Sequence, residues 1–174
     1  MGRTVTVFGT SKADEGDAAF ATALSLGRQL AAAGFTVANG GYGGTMLAGA
    51  MGASQAGGRV IGVTCRAFKR GRANAFVSEE RPTATLSERL AMLVGLGDAY
   101  VVLPGGTGTL LELAEVWEYK NKGFGGADKP IVLVGEFWAP LAAMMSEQDR
   151  SCGECVELVN DADEAVAVLR EMLT

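Results

Sequence analysis

The chain has 174 residues, 48% of them apolar and 20% charged, with 25 glycines, no histidine and a net charge of −5. That length sets the expectation of one domain over 1–174, and the acidic balance excludes a whole-surface electrostatic grip on nucleic acid while leaving room for a local basic patch. Without histidine there is no Ser-His-Asp or Cys-His nucleophile, no zincin helix and no His-ligated metal. Proton transfer near neutral pH therefore falls to a carboxylate, or to a perturbed Lys, Tyr or Cys.

The predicted elements alternate. Thr4–Phe8 reads as a strand, residues 17–33 as an Ala/Leu-rich helix closed by Gly34, and 35–38 as a second strand running into Asn39-Gly40-Gly41-Tyr42-Gly43-Gly44. A helix over 45–56, a strand over 59–64 and an irregular stretch over 65–83 follow. Next come a helix over 86–96, an apolar strand over 99–103, and Pro104-Gly105-Gly106-Thr107-Gly108 turning into a helix from about 109 to 122. The pattern closes with a strand at 130–134, a helix at 138–147, a strand at 156–159 and a helix started by Asp161. Apolar strands alternating with helices imply an α/β fold: one doubly wound, Rossmann-like parallel sheet with helices on both faces. Ligands are expected beyond the carboxyl ends of its strands. No apolar run approaches the ~20 residues that cross a bilayer, and no secretory segment precedes the first strand. The expectation is a cytoplasmic protein with no membrane partner. Cys152-Gly-Glu-Cys155 has C-x-x-C spacing without a second pair to complete a zinc site, and reads as a loop.

Glycine occurs at about twice its usual ~7% share. Two glycine loops, 40–44 and 105–108, sit where a strand ends and a helix begins, the geometry in which unpaired amides and the helix dipole meet an anion. Thr45 and Thr109 could each add a hydroxyl. Neither loop completes G-x-G-x-x-G, since Met46 and Leu111 stand where glycine is needed, and no G-K-[ST] exists. Dinucleotide binding and P-loop chemistry drop away; a phosphate cradle and simple tight packing both remain open readings. On the 86–96 helix, at ~100° per residue with Leu86 at zero, the other leucines and Val94 span an arc from about 280° to about 80°, and Arg89 falls inside it near 300°. A guanidinium on a packing face needs a carboxylate or phosphate partner, unless it snorkels along the edge. Glu112, in the first turn of the predicted 109–122 helix, is a candidate partner, and Glu115 shares its face; a solvated helix start is the plain alternative.

Pro104-Gly105-Gly106-Thr107-Gly108-Thr109-Leu110-Leu111-Glu112 matches P-G-G-x-G-T-x-x-E, and so resembles the signature of the Lonely Guy family of cytokinin-activating phosphoribohydrolases, long labelled lysine decarboxylases. The similarity extends to the first glycine loop, the Arg89 helix and Lys129-Pro130. The resemblance implies catalytic roles for Arg89 and Glu112 and phosphate binding by Gly105, Gly106, Thr107, Gly108 and Thr109. It also implies nucleotide contacts from Ser11, Gly41, Gly43, Gly44, Thr45, Met46 and Glu115. Its activity would be cleavage of the N-glycosidic bond of a nucleoside 5′-monophosphate, AMP or an N6-modified AMP, to base and ribose 5-phosphate. No cofactor or metal is implied, and the partner is a second copy in a homodimer. The alternative within the superfamily is a non-catalytic carrier of nucleotide or molybdenum cofactor. This chain departs from the family pattern at Leu86-Ser87-Glu88-Arg89-Leu90, in the first glycine loop, and at Leu111. Its five lysines suggest no pyridoxal site, so decarboxylation is set aside. The basic segment 66–72 reads as a solvated loop or as a lid over the nucleotide.

Overall fold

The computed structural model describes residues 2–125 and 128–173. Seven strands form one parallel sheet: β1 (Thr4–Phe8), β2 (Thr36–Asn39), β3 (Val60–Cys65), β4 (Glu79–Thr83), β5 (Ala99–Val102), β6 (Ile131–Val134) and β7 (Glu157–Val159). Their order is β4-β3-β2-β1-β5-β6-β7. The helices are α1 (Ala18–Ala32), α2 (Thr45–Gln55), α3 (Leu86–Leu96), α4 (Thr107–Asn121), α5 (Ala139–Gln148), α6 (Arg150–Gly153) and α7 (Ala162–Met172).

Side chains of a strand alternate between faces, and β5 shows the result. Ala99, Val101 and Leu103 enter an apolar layer with Leu26 and Leu30 of α1 and Leu169 of α7. Tyr100 and Val102 enter the opposite layer with Leu93 of α3 and Leu113 and Trp117 of α4. Part of the glycine excess is explained by α1 and α2. A Cβ at Gly27 would collide with the Gly49 carbonyl, and one at Gly52 with that of Leu24, so the two helices meet backbone to backbone.

The expected doubly wound α/β fold is what the chain adopts, with three local corrections. The stretch 65–83 is not wholly irregular: it holds a 3₁₀ turn at Arg66–Phe68 and the edge strand β4. Glu79-Glu80-Arg81-Pro82-Thr83 carries no apolar alternation because only one of its edges is paired, against β3; charge and proline belong on such an edge. The second correction concerns 152–155. Asp149 accepts a hydrogen bond from the Ser151 amide and starts the one-turn helix α6, which carries Cys152, with Cys155 in the turn beyond. Third, α4 begins at Thr107, two residues earlier than expected, because Gly106 serves as its N-cap. No helix among the described residues is long and apolar enough to cross a membrane.

Strand order turns around at β1, which has β2 on one side and β5 on the other. At such a switch point the connections leave in opposite directions and open a crevice above the strand ends.

Candidate active site

A cleft of about 520 Å³ occupies that crevice, lined by Gly9–Lys12 after β1, Gly106–Thr109 after β5, and Gly40, Arg89 and Glu112 among others. Its two ionic side chains in contact come from different helices. Thr85 caps α3 by accepting from the Glu88 amide (3.2 Å), while the Glu88 carboxylate reaches back to the Ala84 amide (2.8 Å). This capping arrangement fixes the first turn of α3 and aims Arg89 at the sheet. Its Nε donates to the Val63 carbonyl at 2.9 Å and its Nη1 to Glu112 Oε1 at 3.2 Å. The Phe68 ring covers the guanidinium, 5.5 Å from the ring centroid. The residue is only 7% exposed, so the apolar arc of the sequence does carry a buried, paired arginine rather than a snorkelling one.

Glu112 lies in the second turn of α4, not the first, because the helix starts early. It is therefore removed from the helix end and largely enclosed, with 12% of its side chain exposed. Burial pushes its carboxyl up to about 7, against the opposing pull of the Arg89 charge and hydrogen bond. A carboxyl that exchanges its proton near neutrality is what the missing histidines leave to be supplied.

The two glycine loops differ. In the second, the first intrahelical bond of α4 runs from the Leu110 amide to the Gly106 carbonyl (2.9 Å). The amides of Thr107, Gly108 and Thr109 stand ahead of it at the positive end of the helix. A Cβ at Gly105 would strike the Thr109 side chain, so packing accounts for that glycine. At Gly106 and Gly108 a Cβ would meet nothing within 4 Å; packing accounts for neither. Gly106, Thr107 and Gly108 reach solvent and Thr109 is buried, all four on the cleft wall.

In the first loop the leading amide of α2, that of Thr45, is already occupied. The Thr10 carbonyl accepts from both the Thr45 amide (2.9 Å) and the Thr45 hydroxyl (3.0 Å), while the Thr10 amide donates to the Pro104 carbonyl (3.2 Å). Gly41 and Gly44 hold φ of 76° and 66°, the region that glycine favours. Of the residues singled out from the sequence, Ser11, Met46, Arg89, Glu112 and Gly106–Thr109 line the cleft. Gly105, Gly41, Gly43, Gly44, Thr45 and Glu115 do not. Glu115 instead bonds the Tyr119 hydroxyl, whose pKa it raises. Lys12, Tyr42 and Phe68 line the cleft, yet nothing in the sequence singles them out individually. No periodicity marks them, since all three sit outside the regular strands and α-helices.

Gly40 makes room for the arginine. A Cβ there would collide with Arg89 Nη2 and the Met46 sulfur. Gly40→Ala is therefore expected to push the guanidinium off Glu112 and lower turnover at least about tenfold, by misplacement alone. Activity and urea unfolding measured side by side check this; unchanged activity in a folded Gly40→Ala protein would refute it.

Residues 46–172 match the family model described as possible lysine decarboxylase. The cytokinin riboside 5′-monophosphate phosphoribohydrolase of Mycobacterium tuberculosis is 37% identical over 115 residues, 64% of this chain and 60% of that protein. The probable enzyme of the same name from Oryza sativa subsp. japonica is 32% identical over 160 residues, 86% of this chain and 70% of that one. Among solved structures, the molybdenum cofactor carrier protein of Chlamydomonas reinhardtii superposes with a TM-score of 0.80 over 99% of both chains at 24% identity, a likeness of fold alone. The names of the relatives support a hydrolase. The family description and the identity of these relatives together place the chain: it belongs to the Lonely Guy family, the group whose model carries the lysine decarboxylase label.

Proposed function

We propose that the chain is a phosphoribohydrolase that splits a nucleoside 5′-monophosphate into free base and ribose 5-phosphate. The observation that carries this reading is the buried Arg89–Glu112 pair on the wall of a cleft that also holds the open N-terminus of α4. In the reaction the C1′–N bond breaks and a C1′–O bond forms, through a sugar with oxocarbenium character. The amides of Thr107, Gly108 and Thr109 hold the phosphate, and its binding energy fixes the ribose above Glu112. The Glu112 carboxylate stabilises the cationic sugar and takes a proton from the attacking water, then returns it to the departing base nitrogen. A carboxyl titrating near 7 suits both transfers. Arg89 holds that carboxylate in place. A pyridoxal lysine fits poorly: of the five lysines only Lys12 lines the cleft, and it is exposed.

The test is base release, followed by chromatography, from AMP, other nucleoside monophosphates and an N6-prenylated AMP. Turnover of AMP with no turnover of adenosine is expected, because the nucleoside lacks the group that the α4 amides seize. Tight AMP binding with no base released would instead assign the chain to the carriers. The second copy of the implied homodimer would cover Leu86 and Leu111, both 43% exposed at the cleft wall. Sedimentation of wild type against Leu86→Glu checks that assembly.

A further inference from the structure

The proposed reaction leaves one charged part of the molecule unused. Although the chain is acidic overall, Arg66, Lys69, Arg70 and Arg72 crowd into seven residues between β3 and β4. The 3₁₀ turn of Arg66–Phe68 ends at Lys69, whose φ of 53° is uncommon for a residue with a Cβ. That reversal lays the Arg70 guanidinium over the Tyr42 ring, 5.8 Å from its centroid. Tyr42 is a fixed platform: its hydroxyl donates to the Cys65 carbonyl (3.1 Å) and accepts from the Cys65 amide (2.8 Å).

Behind Arg70 lies a second cavity of about 420 Å³, walled by Thr64, Arg66, Lys69, Arg72 and Glu80 together with Arg70 itself. Arg70 also lines the first cleft, so its side chain is the shared wall. Among the described residues, none of the four cations has a carboxylate within 4.0 Å. The acid in the wall, Glu80, accepts at Oε1 from the Thr64 hydroxyl (2.8 Å) and the Ala73 amide (3.1 Å) and sets one negative charge against the four positive ones. Four positive charges against one negative leave a positive potential in the cavity.

We infer that this cavity is a second anion subsite, and that the substrate is a mononucleotide bearing another anionic group on the side of the nucleoside away from its 5′-phosphate. The inference rests on the phosphoribohydrolase reading, which seats the 5′-phosphate at α4. Along the sheet, β3 lies three strand positions from β5, and Arg70 lines both the cleft that holds the α4 terminus and the second cavity. A mononucleotide whose 5′-phosphate sits at α4 therefore presents any further anionic group to these arginines. The second group is a phosphate or carboxylate, carried either on the ribose or on the base.

Calorimetry on the Glu112→Gln protein at fixed ionic strength separates the sources, with AMP, adenosine 3′,5′-bisphosphate and N6-carboxymethyl-AMP as probes. At least tenfold tighter binding of one doubly anionic probe than of AMP is expected, and which probe gains identifies the carrier of the second charge. In an Arg66→Gln/Arg72→Gln protein the ratio of the two affinities should fall toward one; in Arg66→Lys/Arg72→Lys it should survive. Equal affinities for all three probes, or a preference that persists without the two charges, would overturn the subsite while leaving the AMP reading standing. If none of the three binds, the mononucleotide reading itself fails and the subsite falls with it.

Discussion

Glu112→Gln is expected to reduce base release by about a thousandfold and, at pH 8, to make the protein more stable than wild type. The two effects share one cause. An unburied glutamate titrates at 4.5, and the enclosed one is pushed up to about 7. A carboxyl raised on folding binds its proton more tightly in the folded chain. Its contribution is fully present below 4.5 and is lost as pH rises through 7. Each unit of separation corresponds to about 1.4 kcal/mol, so ionising Glu112 inside the fold costs about 3 kcal/mol by pH 8. Glutamine resembles the protonated acid in shape and carries no charge to bury. The substitution should thus be nearly neutral at pH 5 and stabilising by up to about 3 kcal/mol at pH 8, a rise of several degrees in Tm for a chain this size. Urea unfolding at the two pH values reads the difference directly. Equal stabilities at both would mean that Glu112 is not held out of water.

Arg89→Ala should be as damaging to turnover, with an opposite thermodynamic signature. Its guanidinium is the group that lowers the Glu112 carboxyl against burial. Without it the carboxyl rises further, and the acid limb of kcat/KM against pH, expected near pH 7 in the wild type, moves to higher pH. The Val63 carbonyl also loses its donor. Stability should drop by about 3 kcal/mol or more where Glu112 is ionised, and by less at pH 5, where the carboxyl is neutral and needs no counter-charge. Arg89→Lys keeps the charge but not the fork that reaches both Val63 and Glu112, and should recover stability better than rate. A residual pH profile identical to that of the wild type would remove Arg89 from any control over Glu112.

The parts of this site that could be read from residues alone are those that follow a period. Arg89 falls inside an apolar helical arc, and the structure encloses its guanidinium between Phe68, Val63 and Glu112. The apolar strands place the sheet, and the sheet places the crevice. What stays hidden depends on contacts between segments distant in sequence. The two glycine loops look alike in composition. What separates them is the Thr10 carbonyl, 35 residues from Thr45, which takes the leading amide of α2 while the leading amides of α4 face the cleft. β4 is invisible in the sequence because edge pairing makes no demand for apolar residues on a strand reading Glu-Glu-Arg-Pro-Thr. Glu112 sits about half a turn deeper in its helix than expected because Gly106, rather than a polar side chain, caps α4. A carboxylate at a helix end is held ionised by the dipole; Glu112, half a turn further in, is enclosed and pushed up to about 7 instead.

Gly106 and Gly108 have a consequence for how such a protein diverges. A Cβ at either place would meet nothing within 4 Å, so packing exerts no veto over an alanine there. A lineage could block the anion's seat in a single step and keep an intact, well-packed molecule. On the proposed function, the identity of those two residues in any descendant records whether the phosphate is still bound there.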